Sequence, residues 1–132
     1  FDMGVADPRF VAGIPMAGSI QRDWFGPMGH SPVRALLLSM SGSDDPVGAD
    51  AQFMTAAGAD LTWIDVQGGC HQYFALGACM NIPDAEQTPI VGTYALAFAR
   101  KHLLNDGDAT VAAVLAGTRP VSARVTLQRR TP

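Results

Sequence analysis

The chain has 132 residues and a net charge of −3, so it fits at most one domain but is long enough to bury a sizeable core. A hydrophobic content of 48% with 16% charged residues excludes intrinsic disorder. The basic residues are scattered, which argues against a nucleic-acid footprint, and no apolar run reaches the roughly 20 residues of a membrane span.

Residues 1–5 read as a loop or the end of a helix, and Asp7-Pro8 as a turn. Residues 11–17 form a short apolar run that predicts a buried strand, although Pro15 sits awkwardly in it. Residues 24–31, with Gly26, Pro27 and Gly29 and followed by Pro32, read as a loop. Residues 33–40, centred on Leu36, Leu37 and Leu38, are apolar without alternation, the pattern of a strand buried on both faces of a parallel sheet. The cluster Ser41-Gly42-Ser43-Asp44-Asp45-Pro46 ends it.

Residues 49–57 predict a helix with Phe53 and Met54 on its apolar side and Gly58 just beyond its end. Residues 61–66 predict the next strand, closed by Gly68-Gly69-Cys70-His71. A second helix starts at Thr88, a candidate N-cap, with Pro89 at its first position. Val91, Ala95, Phe98 and His102 repeat at helical spacing, as do Ile90, Tyr94 and Ala97, and Asn105-Asp106-Gly107 ends the helix. Residues 109–132 read as a β-rich tail with strands near 111–115 and 121–127, and Arg129 and Arg130 as a solvated end. Buried strands joined by helical crossovers predict an α/β fold, a parallel sheet with flanking helices.

Cys70 and Cys79 are an even pair at short spacing with no metal-ligand pattern around them. One disulfide is the expected arrangement, with two separate buried thiols as the alternative. A disulfide places the protein in an oxidising compartment, secreted or periplasmic. No metal or cofactor is expected.

In parallel sheets, chemistry collects on loops at the carboxyl ends of strands. Two such loops carry polar groups here: residues 41–47 with Asp44 and Asp45, and residues 68–72 with His71. If their strands are neighbours, a carboxylate faces an imidazole. The carboxylate then holds the ring in one tautomer while the imidazole serves as general base. The plain readings are a turn and helix cap for Asp44-Asp45 and a satisfied loop histidine for His71. His30 lies in a Gly/Pro loop and His102 in the last turn of a helix, where positive charge is favoured. Trp24, Phe25 and Tyr73 are candidates for a substrate pocket, Phe25 equally for the core. Trp63, on a strand, fits the core better. The segment Ser19-Ile20-Gln21, just past a strand end, is a candidate pocket wall.

The run Ser41-Gly42-Ser43-Asp44-Asp45-Pro46-Val47 resembles the acid loop of α/β-hydrolases, and Gly68-Gly69-Cys70-His71-Gln72 resembles their histidine loop. The order, acid before histidine with one strand–helix–strand unit between, is that of the family. The ensemble is most similar to the dienelactone-hydrolase, cutinase and polyester-hydrolase branch and covers residues 7–104. The resemblance implies the C-terminal portion of such a sheet, a single partial domain over residues 1–132. It implies Asp45 as triad acid, with Asp44 the competitor, and His71 as base. It also implies cleavage of carboxylic esters, small or polymeric, through an acyl-enzyme.

The family's G-x-S-x-G nucleophile elbow does not occur in these residues. The resemblance places it upstream of residue 1, along with the oxyanion-hole donors. The chain opens on Phe1, so it is expected to be part of something longer: the nucleophile lies upstream or on a second chain, and this chain alone is inactive. The open sheet edge is expected to bind the N-terminal half or another copy. The competing expectation is a non-catalytic α/β binding module.

Overall fold

The apolar run around Leu36, Leu37 and Leu38 forms strand β2 (Leu36–Gly42), preceded by a two-residue strand β1 (Ala12–Gly13). Helix α1 (Ala49–Thr55) carries the chain from β2 back to strand β3 (Leu61–Val66). β2 and β3 are parallel neighbours, in register from Leu37 against Leu61 to Gly42 against Val66. A parallel pair requires such a crossover, because a tight turn would reverse the strand. The computed structural model describes residues 9–18, 33–75 and 77–132.

The chain then runs through helix α2 (Thr93–Leu103) and helix α3 (Ala109–Leu115) into strand β4 (Val125–Arg130). β4 pairs antiparallel with β3, so the sheet is mixed, in the order β1-β2-β3-β4. Strand alternation sends Leu38, Met40, Ile64 and Val66 to one face, where they pack on Tyr94, Ala97 and Phe98 of α2 and on α3. Leu37, Leu61 and Trp63 go to the other face, against Phe53 of α1 and Ala56. Cover on both faces explains why the inner strands read as continuous apolar runs. Among the described residues no helix is long and apolar enough to cross a membrane.

The expected parallel sheet is thus mixed at its β4 edge, and four further expectations change. The strand predicted over residues 11–17 is short because Pro15 has no N–H to give the ladder. Its carbonyl still accepts from Met40 N–H at 2.9 Å, and pairing resumes only at Met16 opposite Met40. Thr88 does not cap its helix; it begins a π turn (Thr88–Gly92) that leads directly into α2, with Gln87 before it. The Gln87 side chain is buried and donates to the Tyr73 carbonyl.

The third change is at residues 111–115, which are helical. Their valines suggested a strand, but Val111, Val114 and Leu115 bury at helical spacing, and Asp108 caps the helix by accepting from Thr110 N–H at 2.7 Å. A sharp corner separates α2 from α3: Asn105 adopts φ 52°, and Arg100 reaches Asp106 at 2.6 Å and Asp108 at 3.2 Å.

Fourth, Arg129 and Arg130 belong to β4 and are not a loose tail. Arg129 lies 3.6 Å from Asp60, while Arg130 donates to the Phe53 and Met54 carbonyls at the end of α1 and stacks over the Phe53 ring. A cation at exposed helix carbonyls satisfies both their hydrogen bonding and the helix dipole.

Ile64 is fully buried, whereas Leu96 on α2 is exposed. Ile64→Ala should therefore cost about 2–5 kcal/mol, and Leu96→Ala less than about 0.5 kcal/mol, in urea unfolding of the oxidised protein.

Candidate functional site

β2 and β3 end side by side, so the loops that follow them leave the same edge of the sheet. Main-chain bonds lace the loops together. Ser43 N–H donates to Val66 O at 3.1 Å, Asp44 N–H to Gly69 O at 3.0 Å, and Gly68 N–H to Ser43 Oγ at 2.9 Å. The approach is so close that a Cβ on Gly42 would lie 2.1 Å from Gly69 O, which no side chain can occupy. Gly68 takes φ +81°, a left-handed conformation that suits glycine.

Across this seam Asp45 Oδ2 meets His71 Nδ1 at 3.1 Å. A carboxylate only accepts, so Nδ1 carries the proton and Nε2 is left with its lone pair. The Asp45 side chain is wholly buried, and that of His71 is 57% exposed. The carboxylate thus orients the ring from inside, and the ring can exchange a proton with something outside. Asp45 Oδ1 is buried and has no hydrogen-bond partner among the described residues.

Asp44, the competing acid, is engaged elsewhere. It accepts from Asn81 Nδ2 at 2.6 Å and from Ser43 Oγ at 3.0 Å. These two donors, Asn81 first, hold its carboxyl below the usual range. Cys70 and Cys79 form a disulfide, with Cys70 directly before His71.

Tyr73 does not stand on a pocket wall. His71 opens a 3-10 helix (His71–Ala75), and at three residues per turn a side chain two positions on points away from the first. Tyr73 therefore turns into the core while His71 faces out, and burial pushes its hydroxyl pKa up. Trp24, Phe25, His30 and the segment 19–21 lie outside the described residues. His102 packs on the Phe98 ring at 4.7 Å, and burial lowers its pKa.

One polar group went unnoticed in the sequence. On the α1 face, Trp63 Nε1 donates to Ser41 Oγ at 2.8 Å, and Ser41 donates to Asp65 Oδ1 at 2.9 Å. With Asp45 and Asp50 these residues line an open depression of about 340 Å³ beside the acid loop. Alternation along β3 was the available signal: Leu61, Trp63 and Asp65 share a face, so the depression lies on the side opposite the α2 core.

Two outcomes follow. Gly42→Ala should cost at least about 1–3 kcal/mol by forcing the loops apart, while Gly107→Ala, with open space around it, should stay within about 0.5 kcal/mol in denaturant unfolding. Burial raises the Asp65 pKa, so the folded chain holds this proton more tightly than the unfolded one. That stability is full below the ordinary value of 3.8 and is lost as pH rises through the raised folded value. Asp65→Asn keeps an acceptor for Ser41. Its stability relative to wild type should climb as pH rises from below 3.8 through the raised folded value, in parallel urea titrations.

Comparison with protein-family models and with curated proteins finds no match to this chain.

Proposed function

We propose that the chain supplies the acid and the general base of a serine-type carboxylic ester hydrolase of the α/β-hydrolase kind. The observation that carries this reading is the Asp45 Oδ2–His71 Nδ1 hydrogen bond between loops at the carboxyl ends of adjacent parallel strands. In this reading His71 Nε2 takes the proton of a serine hydroxyl as that oxygen attacks the ester carbonyl. It then returns the proton to the departing alcohol, leaving an acyl-enzyme, and activates the water that hydrolyses it. Asp45 holds the ring in place and stabilises the imidazolium formed in each step.

The serine and the oxyanion-hole donors come from a segment upstream or from a second chain, since no G-x-S-x-G elbow occurs in these residues. The exposed Phe10 and Val11 beside β1 suit contact with that segment or with another copy. The disulfide fits a secreted or periplasmic setting.

The absent elbow also favours a second reading, a non-catalytic α/β module whose acid–histidine pair is idle. Fluorophosphonate labelling of the protein isolated from its native source, followed by intact-mass analysis and N-terminal sequencing, separates the two. The hydrolase reading expects label on a serine in an elbow that is continuous with this chain or co-purifies with it. Asp45→Asn should lower kcat for a short-chain aryl ester by about 10⁴, and His71→Ala by at least as much. Absence of label with the disulfide intact supports the idle module and refutes the hydrolase.

A further inference from the structure

The segment 77–82 touches both loops of the pair. Cys79 is bonded to Cys70, the residue before His71, and its Sγ accepts from Cys70 N–H at 3.0 Å. Asn81 donates through Nδ2 at 2.6 Å to Asp44, the residue before Asp45. The amide must be oriented this way, because a carboxylate has nothing to donate. The Asn81 carbonyl also lies against Gly68, where a Cβ would come within 2.7 Å of it. Ile82, buried in the core, anchors the end of the segment. One short stretch thus grips the immediate neighbour of each partner in the Asp45–His71 bond.

We infer that Asn81 is a positioning residue for the Asp45–His71 pair, acting through Asp44. The inference rests on the reading of that pair as a working acid and base. The main-chain bonds from Ser43 and Asp44, together with Asp45 N–H to Gly42 O at 3.0 Å, fix the backbone of the acid loop but do not hold the Asp44 and Asp45 side chains. Tying the Asp44 carboxylate to Asn81 adds a side-chain anchor to this turn and steadies the backbone from which the Asp45 side chain projects. The restraint matters because the imidazole is more than half exposed, so water competes for Nδ1 whenever Asp45 swings away. Asn81 is itself exposed and buries little, so its effect lies in geometry more than in stability.

Proton NMR of the oxidised 132-residue chain at low temperature tests this through the downfield resonance of the His71 Nδ1 proton, assigned by its loss in His71→Gln and Asp45→Asn. Asn81→Ala is expected to unfold close to wild type in urea, yet its Nδ1 proton should exchange with water on the order of ten times faster. Asp44→Ala should do the same, and the double variant should be no worse than either single one, since both remove one interaction. Wild-type exchange in Asn81→Ala, or effects of the two substitutions that add, overturns the inference and leaves the pair intact. If Asn81→Ala does not fold, wild-type exchange in Asp44→Ala overturns it alone. Absence of the resonance from the wild type overturns the pair itself, and the inference with it.

Discussion

The contact between Gly42 and Gly69 is the constraint on which the site depends. Main chain crosses main chain at a distance that excludes even a methyl group. Because the strand ends meet there without side chains between them, the acid loop can donate backbone N–H groups directly into the histidine loop. With a wider gap, Asp45 and His71 would each face water. Two glycines that read as ordinary turn residues in the sequence thus set the distance across which a carboxylate and an imidazole can bond.

The pair has an inside and an outside. Asp45 is wholly buried, and a buried charge is tolerated only when a partner or a hydrogen bond compensates for lost hydration. His71 supplies that partner from the solvent side. Removing the imidazole would leave an uncompensated carboxylate, whereas removing the carboxylate would leave a ring that water can still solvate. The bond therefore carries unequal consequences for its two members. A single hydrogen bond of this kind is worth about 1.5–3 kcal/mol when one partner is charged, so its geometry depends on the loops that hold it. The disulfide beside His71 and the amide bonded to Asp44 act at that level.

Much of the sheet was legible in the sequence because its signals are local. Residues 61–66 read as a strand at their observed bounds, and the turn clusters after Met40 and Val66 located the two polar loops. What escaped depended on rotation or on distant partners. Tyr73 was misplaced because a 3-10 turn rotates it away from His71. The valines of 111–115 concealed a helix whose burial spacing, once noticed, is plain. Arg130 reaches the end of α1 some 76 residues earlier in the chain, and Asn81 meets Asp44 across 37 positions. No local pattern announces either contact. Between the neighbouring carboxylates Asp44 and Asp45, the family resemblance favoured the second; in the structure, donors hold the first elsewhere and the second meets the ring.

The two borders of the sheet differ in chemistry. β4 carries Arg129, beside Asp60, and Arg130, held on the α1 carbonyls and over the Phe53 ring. β1 has apolar neighbours, with Phe10 and Val11 both well exposed and no charged side chain from Phe10 to Gly18. Among the described residues the two edges of the ladder are therefore unlike, one carrying cations that are already engaged and the other apolar and exposed, and the acid and histidine loops leave the strands between them.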